Sequence, residues 1–282
     1  MNEPDRLHCI PRIAVLGCGN MGRSLLAGLL DRGCRPERIR GAEADADIRR
    51  ELRRRWKLRV FSNAREAVKD AGVVILAVKP GQLERLVTGV ADAVAEDALI
   101  ISIAAGIRLG RIRGWLGAPR FLVRAMPNLP AQVREGVTAL YAGRRLPLRH
   151  RRTAETVMAA MGTVLWLGRE SQMEAVTAIS GSGPAYFLLL MELMEANAVQ
   201  LGLPPRKART LVLRTARGAA ELALRERAAP GELRRRVTSP GGTTEAALRV
   251  LRTGGIEALL ARALRAAWER SSELAGVSGD ER

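Results

Sequence analysis

The sequence predicts a doubly wound α/β domain followed by an all-α domain. Three observations carry this. Short apolar runs alternate with helix-period segments over residues 1–168, the first run ends in a glycine turn that opens a helix, and beyond Gly168 only helical periodicity remains. With 282 residues, 47% of them hydrophobic, the chain has material for two cores.

The elements follow in order. "RIAVLG" (Arg12–Gly17) is a short apolar strand, and "MGRSLLAGLLDRG" after it has the spacing of an amphipathic helix. "RIRGA" (Arg38–Ala42) reads as a second strand, followed by a charged helix through about Lys57. "VVILAV" (Val73–Val78) and "ALIISIAAG" (Ala98–Gly106) are continuously apolar, as strands buried on both faces of a parallel sheet are. "RFLVRAMPN", "GVTALYAG" and "GTVLWLG" (Gly162–Gly168) complete the series. The remainder, residues 169–274, reads as roughly five helices punctuated by "GSGP", "GLPP", "AAPG", "SPGG" and "TGG", with Pro184, Pro205 and Pro230 suited to first helical turns. Residues 275–282 read as a frayed tail.

No continuous apolar run reaches the roughly 18 residues of a bilayer span, and the N-terminus lacks a signal-peptide pattern. A cytoplasmic location and no membrane partner are therefore the expectation. Cys9, Cys18 and Cys34 are sparse and odd in number, which suits small buried hydrophobes better than a disulfide framework or a metal site. The formal net charge is +17, and only four of the 46 basic residues are lysines (Lys57, Lys69, Lys79, Lys207). The arginines are spread along the whole chain and aromatics amount to 3%. With so few stacking platforms, a solvated arginine surface is favoured over a nucleic-acid site.

Two glycine turns carry the chemistry. In "GCGNMG" (Gly17, Cys18, Gly19, Asn20, Met21, Gly22) the glycines allow a tight turn, close approach of a pyrophosphate and helix-on-strand packing. A strand before it and a helix after it make this a dinucleotide-binding, or Rossmann, turn. Glu43 closes the second strand, where a carboxylate suits a ribose 2′-hydroxyl and repels a 2′-phosphate; this favours NADH over NADPH. The other reading of Glu43 is an acid of the helix-cap region. Arg49 and Arg50 come late for a phosphate clamp. In "VTSPGGTTEAAL" (Val237–Leu248), Gly241 and Gly242 expose backbone N–H groups at a helix start, and Thr243 and Thr244 add hydroxyls. By physics alone this is as readily an ordinary capped helix as an anion site.

Seven stretches in order resemble the pyrroline-5-carboxylate reductase family: "GCGNMG" (17–22), "AVKPGQ" (77–82), "SIAAG" (102–106), "RAMPNLPA" (124–131), "ISGSGPAYF" (179–187), "LGLP" (201–204) and "VTSPGGTTEAAL" (237–248). The resemblance runs from about Arg12 to Leu274. It implies a Rossmann domain, then a helical dimerisation domain, and reduction of a cyclic imine to L-proline by NADPH or NADH. It also implies a homodimer, and a pentamer of dimers in larger assemblies. By the same resemblance Ser239, Gly241, Gly242, Thr243 and Thr244 hold the substrate carboxylate, with Thr244 beside the imine nitrogen. Ala77, Val78, Lys79, Pro80, Ala104 and Ala105 surround the cofactor, and Asn63 touches its adenosine side. In such enzymes the turn and the nicotinamide come from different subunits.

The residue inventory agrees with that chemistry. His8 and His150 lie outside every motif, so no histidine acid–base pair of the kind alcohol oxidation needs is available, whereas a protonated imine already carries its proton. The β-hydroxyacid dehydrogenases use a lysine in the helix between domains, and "SGSGPAYFLLLMELMEANAV" has none. Departures from the family pattern are Leu129 in place of a threonine, Glu43 in place of a small polar residue, and heavier arginine before Val237. Two alternatives remain at this stage. One is a reductase of the six-membered imino acid, and the other a non-catalytic cofactor sensor or nucleic-acid binder.

Overall fold

The computed structural model describes residues 10–118, 120–143 and 146–276. They divide into two compact units, one formed by the described residues up to 182 together with 267–276, the other by residues 183–266. The first unit holds an eight-stranded sheet in the order β3-β2-β1-β4-β5-β6-β7-β8. β1 (Ile13–Leu16), β2 (Ile39–Ala42), β3 (Arg59–Phe61), β4 (Val73–Leu76), β5 (Leu99–Ser102) and β6 (Phe121–Met126) run parallel. β7 (Gly136–Ala142) is antiparallel to β6, and β8 (Gly162–Trp166) is parallel to β7. The strand order reverses between β1 and β4, and in doubly wound sheets ligands bind in the crevice at that point.

The apolar runs work as double-sided strands. Ile13 and Val15 enter one buried cluster with Leu25, Leu26 and Leu29 of α1 (Asn20–Asp31). Ala14 and Leu16, pointing the other way, join Leu83 and Val87 of α4 (Pro80–Val90) and Ile112 of α5 (Leu109–Leu116). A strand with both faces covered has no polar alternation to show, and its sequence is a plain apolar run. Helix α2 (Ala46–Trp56) ends at Lys57, whose φ of 57° is left-handed. β3 follows at once and went unpredicted from sequence. It is a three-residue edge strand in which only Val60 is buried, and "RRRWKLRVF" presents its charges, not its pairing. A five-residue helix, α3 (Ala64–Val68), leads on to β4.

Helix α1 packs backbone against backbone on the short turn Ala159–Met161 that follows α6 (Leu148–Met158): a Cβ added at Gly28 would lie 2.0 Å from the Ala160 carbonyl oxygen. Gly28→Ala should therefore cost about 1–3 kcal/mol through overpacking. Thermal unfolding should register this as a Tm several degrees lower; an unchanged Tm would mean the helix can move aside freely.

Beyond β8, α7 (Met173–Val176) runs into a π-helical turn, Thr177–Gly181. Five residues are too few for a 4.4-residue period to declare itself in sequence. The second unit contains α8 (Gly183–Gln200), α9 (Pro205–Glu226), α10 (Pro230–Arg236), α11 (Thr243–Thr253) and the first part of α12 (Ile256–Leu274), which agrees with the roughly five helices expected. Pro205 and Pro230 stand at the first helical position, and Pro184 is the second residue of α8. α8 packs on α9, yet among the described residues Phe187, Leu190, Leu193 and Leu224 are at least half exposed. Within Glu170–Gln200 one 18-residue window has a mean hydropathy of 1.3, enough by length and composition for a membrane span, and 11% of that window is buried. Glu192 and Glu195 interrupt this stretch, which is why the sequence shows no continuous apolar run of that length.

Candidate active site

The sheet's reversal point opens into a cleft of about 870 Å³, lined by Gly17, Gly19, Glu43, Asn63, Ala77, Val78 and Lys79 among others. That volume falls within the range of small-molecule and cofactor sites, about 300–1,000 Å³. Gly17 leaves β1 with φ +95°, and a Cβ there would come within 2.7 Å of the Ala77 carbonyl oxygen. Its N–H donates to the Ala42 carbonyl at 2.8 Å, tying the turn to β2. Gly19 is the N-cap of α1 and offers no side-chain cap; the space where its Cβ would be is open. Helix-start N–H groups without intrahelical partners therefore face a roomy cleft. Gly22 packs on the turn itself, its Cβ position only 2.2 Å from the Gly17 carbonyl oxygen. A dinucleotide's pyrophosphate fits this cradle: the glycines remove the side chains that would fill it.

Glu43 braces the turn. One carboxylate oxygen accepts from the Cys18 N–H at 2.7 Å and the other from the Asp45 N–H at 3.1 Å. The helix cap is Asp45, whose carboxylate accepts from the N–H groups of Asp47 and Ile48 and is held below its ordinary pKa by them. Glu43 is therefore not the α2 cap, and the cap-region reading gives way to a bridge between the glycine turn and the end of β2. Arg49, set aside as too late in sequence, folds back and donates to the Glu43 and Ala44 carbonyls at 2.9 and 2.6 Å. Cys18 is fully buried, and its thiol is pushed up to about 12 by burial and then by the Glu43 charge, so it stays protonated. Cys34 is likewise buried and free; Cys9 lies outside the described residues.

Asn63 caps α3, accepting from the Arg65 N–H at 2.9 Å. Lys79 is the N-cap of α4, with Pro80 at its first position. Of the other residues expected at the cofactor, Cys18, Asn20, Met21, Gly22, Pro80, Ala104 and Ala105 do not line this cleft. Ala104 and Ala105 follow β5; Ala104 is buried, its N–H 3.4 Å from the Ser102 hydroxyl. Sequence reading missed Ser62, Arg65, Gln82 and Arg85 on the cleft wall. The two arginines carry no local signal, because at helical positions they look like any solvated basic residue. Arg65 is held by a two-pronged bond to Asp92, while Arg85 is exposed.

In the second unit, α10 ends and the chain turns through Ser239 and Pro240. Gly241 takes φ +71°, and the Gly242 N–H donates to the Ser239 carbonyl at 3.1 Å. Gly242 is the N-cap of α11, with no side-chain cap, so neither threonine spends its hydroxyl there. The Gly241 N–H donates to the Glu245 carboxylate at 2.7 Å. The turn thus already accepts a carboxylate, supplied by its own helix. Ser239, Gly241 and Thr243 are exposed, Gly242 and Thr244 half-buried. Of the arginines before it, Arg236 is engaged by Glu226, which raises the arginine's pKa and lowers the glutamate's. Leu129, the departure in "MPNLPA", opens a short 3-10 turn and is half exposed.

A glycine cradle at a helix start, an acid at the end of β2 and a sheet reversing beside them define a dinucleotide-binding protein of the Rossmann class. Comparisons with known proteins agree. Residues 12–106 match the family described as NADP oxidoreductase, coenzyme F420-dependent, and residues 170–274 match pyrroline-5-carboxylate reductase dimerisation. The pyrroline-5-carboxylate reductase of Pseudomonas aeruginosa is 46% identical over 269 residues, 95% of this chain and 98% of the relative. The solved pyrroline-5-carboxylate reductase of Coxiella burnetii superposes with a TM-score of 0.89 at 39% identity, covering 94% of this chain and 98% of that one. The Plasmodium falciparum pyrroline carboxylate reductase structure with NADP bound shares the fold, with a TM-score of 0.84 at 24% identity over 94% of this chain and 98% of that one. The chain belongs to the pyrroline-5-carboxylate reductase family. The dimerisation match covers the helices whose apolar side chains lie bare in a single copy, so homo-oligomerisation accounts for that exposure.

Proposed function

We infer that this chain reduces the C=N bond of 1-pyrroline-5-carboxylate with a hydride from NADPH or NADH, giving L-proline. The observation that carries this is the near full-length match to the Pseudomonas reductase. The two anion-receptive glycine turns supply its chemistry.

In this reading the segment 1–168 binds the dinucleotide and 169–274 binds substrate and a second copy of the chain. When bound, the dinucleotide supplies a hydride from its nicotinamide ring. The Gly17–Gly22 turn and the start of α1 hold the pyrophosphate, Asn63 lies at the adenosine side, Ala77, Val78, Lys79 and Pro80 lie along the cofactor, and Ala104 and Ala105 wall the reacting end. The substrate carboxylate takes over the Gly241 N–H from Glu245 and is held by the amides from Gly241 to Thr244, with Ser239 closing the turn. Thr244 places its hydroxyl at the ring nitrogen. As hydride adds to the imine carbon, the C=N π pair moves to nitrogen, which keeps its own proton; no side-chain base is consumed. The protein's work is positioning and a neutral polar partner for nitrogen. A dimer through residues 170–274, a pentamer of such dimers and a cytoplasmic location go with this reading; light scattering of the purified chain tests the first two.

Glu43 sets the dinucleotide preference in favour of NADH, its charge opposing a 2′-phosphate. Glu43→Ser should raise the NADPH-to-NADH ratio of kcat/KM by roughly tenfold, about 1.4 kcal/mol, while weakening NADH through loss of the brace on Cys18. An unchanged ratio would remove Glu43 from specificity. The reading as a whole is tested by assaying both dinucleotides against the five- and six-membered cyclic imino acids side by side. Preference for the five-membered ring supports it; turnover of the six-membered ring alone would reassign the substrate.

A further inference from the structure

Alternate residues of β6 and its extension, Arg124, Met126 and Asn128, meet one segment of chain, residues 170–181, as expected for side chains two apart on a strand. Arg124 is 3% exposed and lies 3.4 Å from Glu170 and 3.5 Å from Glu174, itself 4% exposed. Met126 fills the space beside Gly181, where a Cβ would lie 2.7 Å from its terminal methyl. Asn128 donates to the Ser180 carbonyl and hydroxyl at 3.2 and 3.3 Å, and its own carbonyl accepts from the Val137 N–H at 2.9 Å. One strand face therefore seats the C-terminal end of the π-helical turn, at Ser180 and Gly181, and the segment that precedes it, at Glu170 and Glu174.

Glu170 reaches further. The same oxygen that faces Arg124 accepts from the Leu109 N–H at 2.8 Å. Leu109 is the first residue of α5, whose N-cap, Arg108, supplies no side-chain cap. The start of that helix fixes the end of the loop running from Ser102, and Ala104 and Ala105 lie on this loop. Gly106 is clamped at its middle, with Leu274 atoms 3.2 Å from where its Cβ would be.

We propose that Glu170, oriented by Arg124, is a positioning residue for hydride transfer: it holds the start of α5 and thereby the Ala104–Ala105 wall at the reacting end of the dinucleotide. This rests on the reading that these alanines form that wall. The buried arginine is needed because a lone carboxylate on a flexible side chain would not hold one amide in one place, and Glu174 keeps the arginine's charge paired within the interior.

The test is a set of three variants of the full-length chain, with kcat, KM for each substrate, Tm and affinity for ADP-ribose as readouts. Glu170→Ala removes the acceptor but leaves Arg124 paired with Glu174, so the fold should persist. Its kcat should fall roughly ten- to a hundredfold, the scale of an ångström-size misplacement. ADP-ribose affinity, which depends on the glycine turn and Glu43, should stay unchanged. Glu170→Gln retains an acceptor oxygen for Leu109 and should recover most of the rate. Ala105→Val reports on the wall itself and should also slow turnover. Wild-type kcat in Glu170→Ala beside a slowed Ala105→Val overturns the proposal alone. A fully active Ala105→Val overturns the wall reading and the proposal with it. Equal losses of rate and Tm in the alanine and glutamine variants would make Glu170 merely structural, which also overturns the proposal.

Discussion

Gly22→Ala should weaken dinucleotide binding roughly a hundredfold. The new methyl would sit 2.2 Å from the Gly17 carbonyl oxygen, and the obstacle is backbone, which has no rotamer to change. Either α1 lifts from β1 or the turn opens. Overpacking of this kind costs about 3 kcal/mol, and relief by opening the turn spends it at the pyrophosphate cradle, where about 1.4 kcal/mol is a factor of ten. Fluorescence titration with NADPH and NADH checks the affinity, and Tm separates local opening from general unfolding. Gly19→Ala is the contrast: nothing lies within 4 Å of its Cβ position, so the fold should tolerate it and any loss should appear only when a ligand occupies that space. Equal affinity in Gly22→Ala and the parent chain would contradict the role given to this turn.

Thr244→Ala is expected to lower kcat about a hundredfold with KM for the imine within a few-fold. Losing one preorganised polar partner of a reacting atom costs on the order of 10²–10³ in rate. The backbone N–H groups that hold the carboxylate survive the substitution, which is why binding should change little. Stability should barely move, because Thr244 is only half-buried and does not cap α11. Thr244→Ser keeps the hydroxyl and should recover most of the rate. Steady-state kinetics of the three forms decides it: near-parental kcat in the alanine variant would leave the ring nitrogen without its assigned partner.

What could be read from sequence was whatever a local period or a glycine declares. The apolar runs of β1, β4 and β5 and the turn at Gly17–Gly22 are local features, and two glycines of that turn, Gly17 and Gly19, line the cleft at the sheet's reversal point. β3 was hidden because an edge strand with one buried residue makes no apolar run. Glu43 and Asp45 were indistinguishable as letters; only the fold shows that Asp45 caps α2 while Glu43 reaches the Cys18 N–H. The apolar helix α8 was visible in composition, but its bare surface was not, since burial depends on partners outside the helix. The group formed by Arg124, Glu170 and Glu174 was wholly illegible: its members are up to 50 residues apart, and each alone reads as a solvated charge.

The most direct measurement follows a label. The purified chain is incubated with 1-pyrroline-5-carboxylate and NADPH or NADH carrying deuterium at both positions of the nicotinamide C4, and the product is analysed by mass spectrometry and NMR. The expected product is proline one mass unit heavier, with a single deuterium on the ring carbon that was the imine carbon. Proline without deuterium, or no proline with either dinucleotide, would contradict it.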